Sequence, residues 1–257
     1  MKRTLSLLLL AILVFMAGCS SAPVQKEPIL PAQRPVSEYV KPGVTYTIEA
    51  YDPWESMNRR IYNFNAIFDE YVFLPIVRGY EFILPEFAQT GISNFYRNLT
   101  EVTNLMNSLL QFKFVKAVNT FGRICINTTV GIGGLIDVAT INDGIPRENE
   151  DFGQTLGFYG LGPGPYLVLP ILGPSDLRDT AGLVVDTVVY SLMIRELINL
   201  TGMDSPEDDI VNYGLTVIYA IDKRHNESFR YFMTGSPFEY DLVRRLYLLK
   251  REFLVQN

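Results

Sequence analysis

The stretch YLVLPILGPSDLRD, residues 166–179, sets an apolar, proline-punctuated run against an abrupt charged end at Asp176, Arg178 and Asp179. It closes a longer tract, Phe152 to Ser175, that carries no charged side chain, and nine of the residues from Gly157 to Pro174 are glycine or proline. That composition suits neither an ordinary helix nor an ordinary strand, because proline removes a backbone donor and glycine raises the entropy cost of ordering the chain. Ser175 can cap a helix with Asp176 in its first turn, where the positive end of the helix dipole favours an acid. The apolar tract then stops where a helix starts. Arg178 and Asp179 leave two readings open, a return of the chain to an aqueous or interfacial setting and a buried ion pair.

Outward from this stretch the patterning is mainly helical. GLVVDTVVYSLMI (182–194) is valine-rich, yet it is long and follows a cap, so it reads as helix. Its apolar residues lie nearly all round, which implies burial or contact with lipid, while Asp186 prevents a simple membrane span. Upstream, YDPWESMNRRIYNFN (51–65) offers Asp52 as a cap, Pro53 at the first helical position and Glu55 to complete a capping box. Trp54, Met57, Ile61, Phe64 and Phe68 then share one face. Similar starts occur at Ser205-Pro206 with Asp208 and at Ser236-Pro237 with Glu239. In the final helix Leu242, Leu246, Leu249 and Phe253 form a stripe opposed by Arg244, Arg245, Lys250 and Arg251.

Two faces are unusual. In NLTEVTNLMNSLLQ (98–111), Thr100, Asn104, Asn107 and Gln111 recur at four, three and four, opposite Val102, Leu105, Met106 and Leu109. Asn119, Arg123 and Asn127 follow at intervals of four. A solvated face is ordinarily built from Lys and Glu, whereas these are mostly neutral amides. They read either as amides satisfied between packed helices or as a polar lining for a passage, with Arg123 as a phosphate partner. GIGGLID (131–137) and GLGPGPY (160–166) supply Gly131, Gly133, Gly134, Gly160, Gly162 and Gly164, which serve either as a gate or hinge or as tight turns between helices.

The ends of the chain restrict its class. Lys2 and Arg3 precede thirteen uncharged residues, Thr4 to Met16, and then MAGCSS (16–21); this is a secretory signal, 1–18, too short to span a bilayer. Ala17, Gly18 and Cys19 resemble the lipobox of bacterial lipoproteins, with Met16 where Leu is usual, so Cys19 is the expected lipid anchor. Ser20, rather than Asp, resembles the pattern sorted to the outer membrane. Several acyl chains on one cysteine make attachment effectively permanent, each buried methylene contributing about 0.8 kcal/mol. Residues 19–49, with five prolines between 20 and 42, read as an extended tether with about 3.1 Å of reach per residue. Residues 50–257 then form one domain.

Removing Lys2 and Arg3 leaves 20 basic side chains of the 22 against 28 acidic ones, a net charge near −8. That argues against nucleic acid and against anionic headgroup attraction. Cys125 is left without an intramolecular partner and is expected in the core. No cofactor or metal is expected: the one histidine, His225, reads as solvated, and too few ligands exist for a His-rich site. There is no G-x-S-x-G, so a phospholipase triad lacks its elbow. The acids Glu148, Glu150 and Asp151 read as a solvated loop rather than a calcium or glycan site. At 48% hydrophobic residues, apolar surface outside the core needs covering.

Together DPWESMNRRIYNFN (52–65), NSLLQFK (107–113), INTTVGIGGLIDVA (126–139) and EDFGQTLGFYGLGPGPYLVLPILGPSDLRD (150–179) resemble the MlaA family, also called VacJ-like lipoproteins, over essentially the whole mature body. The resemblance implies a single ring-like helical domain with amphipathic and interfacial helices, lipid-anchored and embedded in the inner leaflet of the Gram-negative outer membrane. It further implies association with a trimeric porin, removal of phospholipid mislocalised in the outer leaflet, and delivery to a periplasmic lipid-carrier protein, with no enzymatic step. A passive lipoprotein bridging the membrane to porin or peptidoglycan is the alternative. A polar passage answers a physical need, since an isolated headgroup charge in hydrocarbon costs on the order of tens of kcal/mol.

Overall fold

The computed structural model describes residues 30, 32–40, 50–141, 144–200 and 208–257. The signal, Cys19 and the helix start at Ser205-Pro206 therefore lie outside the described residues. The chain is mainly helical: α1 (Glu55–Phe68), a π-helical turn (Asp69–Phe73), α2 (Leu74–Ile83), α3 (Glu86–Leu110), α4 (Phe114–Thr129), α5 (Phe152–Phe158), α6 (Leu177–Leu200), α7 (Asp208–His225) and α8 (Glu239–Gln256). Helix α3 packs along α4, α5 lies against α6 and α8, and α2 meets α7.

The apolar tract does contain strands. β1 (Tyr166–Leu169) and β2 (Gly173–Asp176) pair antiparallel, Tyr166 opposite Asp176 and Leu169 opposite Gly173. Tyr166 and Val168 point inward and are buried, which is the period-two signature on a short scale. The second strand, Gly-Pro-Ser-Asp, has no strand propensity of its own; pairing within a hairpin overrides it. Helix α6 then begins one residue later than the cap expected at Ser175. Asp176 Oδ1 accepts the Asp179 backbone N–H at 2.7 Å, while Ser175 Oγ lies 2.9 Å from Thr180 Oγ1.

The capping box at Asp52 is not formed either. Trp54 occupies the N-cap of α1 with no side-chain cap. The Asp52 carboxylate instead accepts from Asn58 Nδ2 at 2.8 Å, from Arg244 Nη1 at 2.9 Å and from the Tyr240 hydroxyl. A buried anchor between the start of α1 and α8 outcompetes a local cap. At α8, Ser236 Oγ accepts from the Phe238 N–H at 3.2 Å, just ahead of the first helical residue.

The faces of the helices are inverted relative to a protein in water. The buried residues of α3 are Gln89, Ser93, Tyr96, Asn98, Glu101, Thr103, Asn104, Asn107 and Ser108, all polar but the tyrosine. Helix α4 buries Ala117, Thr120, Arg123 and Asn127 while Val115 and Val118 are 77% and 70% exposed. On α1 the expected apolar face turns Trp54, Met57 and Phe64 outward and Asn58, Tyr62 and Asn65 inward. The Leu242, Leu246, Leu249 and Phe253 stripe of α8 also faces out, opposite the buried Arg244. Water does not select such a surface, because contiguous apolar patches on soluble monomers rarely exceed a few hundred Å². Among the described residues no helix is long and apolar enough to cross a membrane.

Cys125 follows the same inversion. It is exposed, four residues after Phe121 on the outward face of α4, and not in the core. The apolar core is small and aromatic: Tyr62 meets Tyr231, Phe232 and Tyr240 edge-on at 4.9–5.6 Å between centroids, with Ala66, Tyr166 and Val168 around them. The middle of the expected tether, residues 30 and 32–40, meets this core. Leu30 packs against it, Arg34 N–H donates to Gly235 O at 2.8 Å, and Val36–Glu38 form a 3-10 turn. Residues 32–40 therefore run along the body rather than away from it, although all but Tyr39 stay exposed; the Arg34 N–H on Gly235 O and the Tyr39 hydroxyl on Thr234 O hold them there.

Candidate functional site

Helices α3 and α4 bring their polar faces together around Arg123, which is 1% exposed. Its Nε donates to Glu101 at 2.9 Å, Nη1 to Thr140 Oγ1 and Ile145 O at 2.8 and 2.7 Å, and Nη2 to both Asp137 oxygens at 3.1 Å. All five donors are thereby used within the chain, so Arg123 holds the interior together instead of presenting a guanidinium to a phosphate. Burial raises the Asp137 carboxyl, but hydrogen bonds from Thr140, Asn127 and Arg123 outweigh it and hold it below the usual carboxylate range.

The amides of the stripe are committed in the same way. Asn104 donates to Glu101 at 2.9 Å and to Glu148 O at 2.8 Å. Asn107 donates to Asp186 on α6 at 3.1 Å and accepts from Thr155, whose hydroxyl also takes the Gln111 amide at 3.1 Å. Burial pushes the Asp186 carboxyl up, against the pull of the Phe152 N–H and Asn107. Thr100 accepts from Arg147 at 2.8 Å, Asn119 is half-buried, and Asn127 donates to Asp137 at 2.9 Å and accepts the Ala139 N–H. Of this set, Gln111 Oε1 is buried without a hydrogen-bond partner.

A second charged cluster lies beneath the hairpin. Arg178 Nε binds Asp179 at 3.0 Å, so the structure holds the buried ion pair. Arg251 reaches from α8 to Asp179 at 2.9 Å and to Asp151 at 2.6 Å. Asp151 also caps α5 by accepting the Gln154 N–H at 2.8 Å. Glu150 is buried against Lys113 and Lys116 at 3.1 and 2.7 Å. The loop acids are thus structural and not a solvated trio, because the cations of α4 and α8 meet them. His225, expected in solvent, bonds Glu81 through Nδ1 at 2.7 Å. A Cβ on Gly182 would come within 2.3 Å of Gly153 N, so the α5–α6 crossing demands glycine on contact distance alone.

The two glycine segments are turns closed by backbone bonds. Gly133 and Gly134 follow α4 at φ +67° and +92° and donate to Thr128 O and Asn127 O. Gly131 has the Ile136 carbonyl within 2.2 Å of where a Cβ would stand. Gly160 and Gly164 also have positive φ, while a Cβ at Gly162 would meet nothing within 4 Å.

None of these sequence-selected residues lines the cavity of about 510 Å³ between the end of α1, the π-helical turn, the hairpin tip, α7 and α8. Its wall is largely apolar, including Phe68, Phe73, Ile171, Leu172, Tyr231 and Leu246, and its charges are Asp69, Lys223, Arg224, Glu227 and Lys250. Arg224 grips Asp69 through both oxygens at 2.5 and 2.7 Å. Sequence reasoning missed this site because its charged residues come from three distant segments with no common spacing. The π-helical turn that follows α1 places Asp69 and Phe73 on the cavity, which no local spacing in DEYVF foretells.

Comparison with known proteins places these features. A family model described as MlaA lipoprotein matches residues 50–254. An uncharacterized protein of Rickettsia felis is 34% identical over 211 residues, 81% of this chain and 80% of that one. The intermembrane phospholipid transport system lipoprotein MlaA of Escherichia coli K12 is 41% identical over 138 residues, 52% of this chain and 55% of the relative. A solved structure described as the structural basis for maintenance of bacterial outer membrane lipid asymmetry superposes with a TM-score of 0.61 at 30% identity, covering 80% of this chain and 100% of its own.

Proposed function

The chain belongs to the MlaA lipoprotein family, and from that membership we propose that it is an outer-membrane lipoprotein that withdraws phospholipid mislocalised in the outer leaflet and passes it to a periplasmic lipid carrier. The observation that carries this reading is the inversion of the helices. Apolar faces of α1, α4 and α8 point outward and polar faces inward, as suits a body set into one monolayer without crossing it. Hydrocarbon solvates the outer face at no cost, while the hydrogen-bonded interior keeps a polar environment at membrane depth.

Within this reading the amide stripes of α3 and α4 form a hydrogen-bonded polar core that braces the body at membrane depth rather than the wall of a passage, and the turns at 131–134 and 160–164 close the ends of its helices. Cys19 carries the acyl anchor, and a trimeric porin borders the outward apolar surface. The test is a strain lacking the protein, in which phospholipid exposed at the cell surface is measured. Accumulation that is reversed by the intact gene is the expected result. Unchanged surface phospholipid in that strain would reject transport in favour of a passive bridge.

A further inference from the structure

We infer that the cavity between the hairpin tip, α7 and α8 is a lipid-phosphate site, in which Lys223 and Lys250 hold the phosphate of the headgroup and the apolar wall takes the start of an acyl chain. This rests on the transport reading and adds to it the residues and the place of headgroup contact.

The charges of the cavity separate into committed and free. Arg224 is locked on Asp69 by two short bonds, and its Nη1 donates to Glu227 O at 2.8 Å. Glu227 accepts the Phe229 N–H at 3.1 Å. Lys223 and Lys250 line the same cavity, and among the described residues neither ammonium has an ion-pair or hydrogen-bond partner. In a chain with net charge −6 before any processing, the five charges of this hollow, three basic and two acidic, leave it net positive, with both exposed lysines on its lining free to meet an anion. Lysine is a common phosphate ligand that acts as a mobile point charge, and its four-carbon stem lies comfortably along apolar walls.

A role at the helix end explains only one of them. Lys223 is in the last turn of α7, where a cation meets the negative end of the dipole. Lys250 sits inside α8, well before its end, and has no such reason to be there.

The rest of the wall fits the other half of an amphiphile. Phe68, Phe73, Phe229 and Leu246 line it, and about 510 Å³ falls within the roughly 300–1,000 Å³ of ordinary ligand sites. Its backbone is also unusual in two independent ways. The π-helical turn Asp69–Phe73 contributes one side, and such turns concentrate at functional sites. Ile171 at the hairpin tip has φ +67°, a costly conformation for a β-branched residue. It is held there by Asn65, whose Oδ1 accepts the Ile171 N–H at 2.7 Å.

The test uses the full-length acylated protein in lipid nanodiscs and three probes: short-chain phosphatidylglycerol, the diacylglycerol of the same chains, and inorganic phosphate. Wild type should bind the phosphatidylglycerol, and K223Q/K250Q should weaken it about tenfold or more, as loss of charge-assisted bonds predicts, with diacylglycerol binding unchanged. Both lysines are exposed, so an unaltered thermal melt will confirm that the variant folds. Equal phosphatidylglycerol binding by variant and wild type overturns the proposal. So does displacement of the lipid by millimolar inorganic phosphate, which would assign the site to a soluble anion. If the variant binds normally while the strain lacking the protein still accumulates surface phospholipid, the lysine assignment fails and the transport reading stands.

Discussion

Asn58 and Asn65, two helical turns apart on α1, together stand in for a missing neighbour of strand β1. Asn58 donates to Tyr166 O at 3.0 Å and accepts the Val168 N–H at 2.9 Å; Asn65 donates to Leu169 O at 2.9 Å and accepts the Ile171 N–H at 2.7 Å. The match is geometric. Seven residues of helix rise about 10.5 Å, and three residues of strand advance about 10 Å, so both amides reach the strand in register. Each side chain satisfies two backbone groups that would otherwise be stranded against a helix.

Replacing either asparagine with alanine should therefore cost about 1–3 kcal/mol, the penalty for leaving buried polar groups unpaired. Asn65→Ala should also release the hairpin tip, so protease cleavage near Ile171 should rise more than in Asn58→Ala. Thermal unfolding in detergent together with limited proteolysis measures both effects, and equal cleavage in the two variants would contradict the clamp.

The Glu101–Arg123 pair gives a sharper test because Glu101 is wholly buried. Arg123→Met should destabilise by up to about 3–5 kcal/mol, since it leaves the buried Glu101 carboxylate with only Asn104 and Arg147. Adding Glu101→Leu should recover part of that loss, limited because Arg147 and Asn104 then lose their acceptor. A double variant as unstable as the single one would show that the pair is not the unit that matters.

Asp176 sets a pH dependence. Burial, reinforced by the nearby Asp179 charge, pushes its carboxyl above the usual range, although the Asp179 N–H pulls the other way. The folded chain then holds a proton that the unfolded chain releases near pH 4. This contribution is fully present below that value and declines as pH rises through the raised folded value. Asp176→Asn keeps the acceptor for the Asp179 N–H and removes the charge. It should be more stable than wild type at pH 8, on the order of 1 kcal/mol, with the gap closing toward pH 4. A gap constant across that range would count against the assignment.

Cys125 reports which medium covers α4. In membranes a charged, water-soluble maleimide should leave it unlabelled, while an uncharged permeant one should react. Solubilisation in denaturant should expose it to both. Rapid labelling by the charged reagent in intact membranes would put this face in water.

The helical class is readable from the periodicities, although the caps expected at Asp52 and Ser175 do not form, and α6 runs across GLVVDTVVYSLMI despite its valines. The inversion is legible only in part: the amide faces point inward and 48% hydrophobic residues imply apolar surface outside the core, but periodicity shows which residues share a face and is silent on the medium that face meets. Trp54, Met57 and Phe64 share a face by spacing, yet nothing in that spacing says the face lies outward. The hairpin escaped for another reason: Gly173-Pro174-Ser175-Asp176 becomes a strand through β1 and two distant asparagines, none of it encoded locally. The amide stripe is legible as a pattern, yet only the packing of α3 against α4 shows that Arg123 spends every donor on the chain itself. Lys223 and Lys250 were visible only as charges on helices until the fold brought them to one hollow.

The contact of Arg34 with Gly235 shortens the leash. With the proposed acyl anchor on Cys19, only eleven peptide steps, or about 40 Å at full stretch, would separate it from Leu30, where the chain joins the aromatic cluster. The side of the molecule that bears the first turn of α8 would then stay within about one bilayer thickness of the anchoring lipids, which biases how the body can turn toward a passing lipid.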